Sequence, residues 1–148
     1  MQTIILTGLQ ASGKSSFYRQ RFFNTHIRIN LDMLRTRKRE TTLLRACLEA
    51  RQPFVVDNTN PTAAERALYI EPARAAGFSL VGYYFLPDPT ACLARNASRP
   101  AEEQVPPQAI WATLKKLQPP SLSEGFDALY SVRVAPDGES LVEAWAGG

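Results

Sequence analysis

Short apolar runs alternate along the chain with longer stretches whose apolar residues recur every three or four positions. The runs at Thr3–Thr7, His26–Asn30, Phe54–Asp57, Ser79–Leu86 and Ala128–Ala135 predict strands. The stretches at Lys14–Phe23, Thr41–Arg51, Ala63–Ala76, Pro89–Ala97 and Pro107–Leu117 predict helices. Punctuation agrees with this reading. Gly77 is placed as a helix stop, Asp88 as an N-cap with Pro89 in the first turn, and Thr62 as the cap of "AAERALYI". Strands that alternate with helices predict βαβ units and an α/β fold: a mostly parallel five-stranded sheet flanked by helices. The terminal segment "VAPDGESLVEAW" has the pattern of a hairpin turning at Asp137-Gly138.

Nothing in the pattern breaks the chain into parts, so its 148 residues are expected to form a single domain, 1–148. The Pro-rich pieces "SRPAEEQVPP" and "QPPSLSEGFD" read as loops within it. The longest apolar run, Leu80–Leu86, is too short to cross a bilayer, and the N-terminal residues lack the pattern of a signal peptide. The expectation is a cytoplasmic protein with no membrane partner. Cys47 lies on the helical stripe of Leu43, Leu44 and Leu48, and Cys92 is read in the same way, as core. Their separation is not that of metal ligands. A net charge of +3 is compatible with anionic partners but too mild to specify nucleic acid.

The chemistry begins where the first strand ends, in "GLQASGKSS". Gly8, Gly13, Lys14 and Ser15 fit Gly-x4-Gly-Lys-Ser, with Ala11, Ser12 and Ser16 in the same loop, a strand before it and a helix after. Glycines let backbone N–H groups turn inward around a phosphate chain, and the following helix directs its positive end at the same place. Lys14 would reach the β- and γ-phosphates and Ser15 would ligate Mg²⁺. In "PFVVDNTN", an apolar strand delivers Asp57 as a carboxylate for the same magnesium site, directly or through water; the alternative is a turn cap. The chain has no Asn-Lys-x-Asp motif for reading guanine, which leaves ATP as the expected nucleotide.

A kinase also needs a carboxylate that accepts a hydroxyl proton and cations that neutralise the transferring group. "RINLDMLR" supplies Asp32 just past the second strand, with Arg35 three residues on and on the same face if a helix starts there. The competing reading is an N-cap Asp with a solvated Arg. "LARNASRP" supplies Arg95 and Arg99, four apart on one helical face, at the start of a lid at about 95–106.

Taken in order, the P-loop, "NLDMLR", "DNTNP" with Glu65-Arg66, "RNASR" and "VP" resemble the kinase domain of polynucleotide 5′-kinases, in register from about Met1 to Leu117. That resemblance implies a P-loop NTPase/kinase fold. It makes Asp32 the general base toward a 5′-hydroxyl, Arg35 a contact to an acceptor phosphate, and Arg95 and Arg99 lid arginines on the donor phosphates. Two departures bear on the acceptor: Leu31 and Met33 flank a single Asp32 where the family often has Asn-Arg-Asp-Asp, and the segment from Asn30 to Asp57 is short. The run "RTRKR", Arg35 to Arg39, offers cations to a nucleic acid backbone or forms a solvated helix end. Three functions follow: a polynucleotide 5′-hydroxyl kinase, a kinase of a small metabolite or nucleoside, and a non-catalytic ATP-binding regulatory module.

Overall fold

A computed structural model describes residues 1–145. Among the described residues six strands form one sheet in the order β2-β3-β1-β4-β5-β6. They are β1 (Gln2–Thr7), β2 (Ile27–Ile29), β3 (Phe54–Asp57), β4 (Ser79–Phe85), β5 (Ala128–Val134) and β6 (Ser140–Ala144). The first five are parallel, as expected; the sheet has six strands rather than five because the Asp137-Gly138 turn returns β6 antiparallel along β5. Gly138 takes φ 87°, a conformation that glycine adopts without strain.

The helices are α1 (Lys14–Arg21), α2 (Leu31–Leu34), α3 (Arg37–Ala50), α4 (Ala63–Ala75), α5 (Pro89–Ser98) and α6 (Pro107–Lys116). Both faces of the central strands are covered, which is why β1 and β3 read as continuous apolar runs. Ile5, Phe54 and Val56 pack against α3 and α4 through Cys47, Tyr69, Ile70 and Ala73. Ile4, Leu6 and Val55 face Phe17, Tyr18 and Phe22 on and just after α1. Leu9, Cys92 and Ile110 join the loop after β1 to α5 and α6. Both cysteines are buried members of these clusters, Cys47 as its helical spacing indicated and Cys92 as expected by analogy with it.

Thr62 caps α4 and Asp88 caps α5, each accepting from the backbone N–H three residues on. Helix α3 starts four residues before its expected beginning because Thr36 accepts from Arg39 N–H and so opens the helix at Arg37. Gly82, mid-β4, leaves room for the sheet's neighbours: a Cβ there would lie 2.5 Å from Leu129 Cδ2 and 2.8 Å from Phe126 Cε1. Both neighbours are themselves buried. Gly82→Ala should therefore lower the free energy of unfolding by about 1–3 kcal/mol, the usual cost of overpacking. Urea denaturation of the two proteins checks it; coincident midpoints would mean that Leu129 and Phe126 can step aside.

The parallel strands end on one side, and the chain after β1 leaves between its neighbours β3 and β4. Ligands of open α/β sheets bind at such a point.

Candidate active site

The loop after β1 is shaped by its own backbone. Ala11 and Gly13 both take positive φ, 60° and 98°, and Gly13 directly precedes α1. Gly8 sits against Phe85, where a Cβ would approach within 2.7 Å of Phe85 Cβ, and its N–H donates to Thr59 O at 3.0 Å. Asn60 Nδ2 donates to Leu6 O, and Asn60 O accepts from Arg66 Nη1. Arg66, fully buried, makes a two-pronged pair with Glu124 at 2.8 and 2.9 Å. The segment after β3 thus braces the phosphate-binding loop, with Arg66 as its anchor.

Lys14 is 8% exposed, and its Nζ donates to Gly8 O at 3.0 Å, Leu9 O at 2.6 Å and Ser12 Oγ at 3.3 Å. Burial brings its pKa down to about 8, with Arg99 adding to the drop and Asp57, Cys92 and Asp32 opposing it. Ser15 Oγ donates to Asp57 Oδ2 at 2.9 Å, so the two oxygen groups expected at a magnesium ion stand side by side. Hard oxygen donors of this kind suit Mg²⁺ held jointly with phosphates. Among the described residues no trio of His, Cys, Asp or Glu forms a metal cage, so such an ion would take its remaining ligands from water and phosphate.

A cleft of about 1020 Å³ opens over the loop. It is lined by Lys14 and Ser15 from the loop and α1, Asp32 and Arg35 from the α2 turn, and Arg99 from the segment after α5. Asp57 lies beneath it, 2% exposed, and reaches the cleft through Ser15. The α2 turn is positioned by neighbours from β3. Asn30 caps it, accepting from Met33 N–H at 2.9 Å, and donates through Nδ2 to Asp57 O. Asn58 Oδ1 accepts from Leu31 N–H at 2.9 Å, while Asn58 Nδ2 donates to buried Glu40, which also accepts from Tyr69 and Arg37. Asp32 is therefore not the cap of its turn; its exposed carboxylate faces the cleft without a hydrogen-bond partner among the described residues.

Two expectations about shared faces do not hold. Arg35 does not continue the helix of Asp32: it ends α2 at φ 76°, although both side chains still line the cleft. Arg95 and Arg99 do not share a helical face either. Pro100 disfavours helical backbone at the residue before it, and Arg99 is extended at φ −74°, ψ 156°. Arg95 instead donates to Ala11 O at 3.1 Å and lines a second cavity of about 330 Å³ with Ser12, Phe85 and Val134. The segment after α5, expected as a lid, contains a single 3-10 turn, Ala101–Glu103, whose two glutamates also face the cleft. Of the basic run, Arg35 alone lines the cleft; Arg37 pairs with Glu40 at 2.8 Å and Arg39 donates to Leu34 O.

Among the residues that escaped the sequence reading, one stands at the proposed metal position. Arg28, on edge strand β2, donates from Nε to Asp57 Oδ2 at 2.8 Å and from Nη2 to Ser15 Oγ at 3.0 Å. The available signal was strand alternation, which puts Arg28 on the face opposite buried Ile29.

Residues 4–120 match a family model described as an AAA domain. The bifunctional polynucleotide phosphatase/kinase of Schizosaccharomyces pombe is 25% identical over 129 residues, covering 84% of this chain and 32% of that protein. The chain thus spans about a third of that relative's length. A gluconokinase from Sinorhizobium meliloti superposes with a TM-score of 0.65 at 20% identity, over 90% of this chain and 83% of the other. Kti12 from Chaetomium thermophilum, solved in complex with ADP-AlF3, gives a TM-score of 0.68 at 16% identity over 88% of each chain. These likenesses show a shared fold.

Proposed function

Because the chain belongs to this AAA domain family and has the P-loop kinase fold, we propose that it moves the γ-phosphate of ATP to a hydroxyl, preferentially the 5′-hydroxyl of a polynucleotide. One observation carries this reading: the carboxylate of Asp32 and the arginines Arg35 and Arg99 line the same cleft as Lys14.

In the proposed reaction the Gly8–Ser16 backbone cradles the triphosphate, and Lys14 exchanges the loop carbonyls for phosphate oxygens. The 330 Å³ cavity beside Ser12 and Arg95 is of a size to take the nucleoside. Ser15 and Asp57 would hold Mg²⁺, which would supply positive charge against the negative charge that develops on transfer. Asp32 accepts the proton of the attacking hydroxyl. Arg99 stabilises the transferring group, and Arg35 binds a phosphate on the acceptor, holding the hydroxyl in line.

A small acceptor is favoured by a specific observation, the commitment of Arg37 to Glu40 and of Arg39 to a backbone carbonyl, which leaves Arg35 as the basic-run contact in the cleft. Comparing kcat/KM for a nucleoside and the same nucleoside with a 3′-phosphate, at two salt concentrations, separates the readings. The polynucleotide reading expects the 3′-phosphate to raise kcat/KM, the gain to fade with salt, and Arg35→Ala to narrow it. No advantage in the wild type would put the small-molecule kinase first.

A further inference from the structure

Arg28 places a positive charge on the oxygens that the proposed reaction reserves for a metal. Its guanidinium takes Asp57 Oδ2 and one side of Ser15 Oγ, and the serine hydroxyl points at that same carboxylate oxygen. The three contacts close a triangle. Asp57 is 2% exposed, so without a neighbouring cation its charge would be buried uncompensated. Immediately around Asp57, Arg28 and Lys14 set two positive charges against its one negative charge; the cleft's other carboxylates, Asp32, Glu102 and Glu103, belong to its other walls. A free divalent cation entering there meets repulsion, and must also displace a charge-assisted hydrogen bond.

We propose that Arg28 is the resident cation of the metal position in the nucleotide-free protein: it excludes free divalent ions, so that metal enters only with the triphosphate, whose charge draws the guanidinium away. The consequence is an imposed order, in which the nucleotide or its metal complex binds first and the protein never holds a metal ion alone. The inference rests on the P-loop reading above. It assigns Arg28 a role in admitting the ion, distinct from that of the groups that bind phosphate. At 27% exposure, its side chain has an open route to solvent or to incoming phosphates.

Mn²⁺ titration of the nucleotide-free protein tests this, with the electron paramagnetic resonance signal of the free aquo ion as the readout. The wild type should leave millimolar Mn²⁺ free, whereas Arg28→Ala and Arg28→Gln should bind it at least about tenfold more tightly, as removal of an adjacent unit charge requires. Arg28→Lys, which keeps the charge, should restore exclusion. Equal Mn²⁺ affinity in wild type and neutral variants would overturn the proposal. So would micromolar Mn²⁺ binding by the nucleotide-free wild type, a result independent of whether any variant folds. Metal-free ADP binding is measured on the same samples: a wild type that binds no ADP removes the nucleotide reading itself, whereas normal ADP binding with Mn²⁺ affinity indifferent to residue 28 removes only the role of Arg28.

Discussion

Asp32→Asn is expected to cut phosphoryl transfer by about 10²–10⁴ while leaving nucleotide affinity nearly intact, the usual worth of a positioned general base. The substitution keeps shape and removes the ability to take a proton at the operating pH. Its local structural cost should be small because the capping of the turn belongs to Asn30, and Leu31 N–H is held by Asn58. The carboxylate itself spends none of its lone pairs on protein donors among the described residues. Single-turnover rates and ADP dissociation constants measured side by side give the answer. A variant that loses nucleotide binding yet transfers normally per bound nucleotide would make Asp32 part of the scaffold.

Lys14→Ala should weaken ATP binding by about 10²–10⁴, the worth of two hydrogen bonds between a charged donor and phosphate at roughly 1.5–3 kcal/mol each. Wild-type affinity and turnover in this variant would remove the P-loop assignment. A second signature lies in pH. The folded, nucleotide-free protein holds Lys14 at about 8, against 10.5 for an ordinary lysine. Between those values the unfolded chain binds more protons than the folded one, so this group makes the free protein more stable as pH rises from about 8 to 10.5. Phosphate beside the ammonium raises its pKa again. Nucleotide binding above pH 8 should then take up a proton, and affinity should fall as pH climbs. Calorimetry in two buffers of different ionisation enthalpy detects the uptake, and Lys14→Ala should abolish it.

Much of this site was legible because the interactions that build it are local. Strand, glycine loop and helix follow one another in a single stretch, and the caps at Thr62 and Asp88 bond only three residues ahead. The core assignment of Cys47 needed nothing beyond helical spacing. What escaped the sequence reading depends on distant chain. Arg28 finds its partner on a strand 29 residues later, and buried Arg66 pairs with Glu124, 58 residues away. No periodicity encodes such partners. Arg99 is a different case: the signal was present in Pro100, whose constraint on the preceding residue outweighs a helical spacing that extends one residue too far. Arg35 followed neither rule. The α2 turn is held at Leu31 by Asn58, just past β3, and Thr36 opens the next helix, so the reversal between them falls on Arg35 at positive φ.

Arg99, the proposed lid arginine, is on a short leash. Asn96 grips Val105 by two hydrogen bonds, Nδ2 to the carbonyl at 2.7 Å and N–H to Oδ1 at 3.0 Å, which closes the intervening residues into a loop with joined ends. Gln104 draws the loop in further through the carbonyls of Ala97 and Arg99. Arg99 stands three residues from the grip, and fully extended chain advances about 3.3–3.6 Å per residue. While the grip holds, its Cα can sweep a radius of roughly 10 Å and no more. A flap of that span can tuck one guanidinium over one end of a ligand. On the proposed function it cannot wrap a long acceptor, so the body of a larger substrate would lie outside it, with only the reacting end inside.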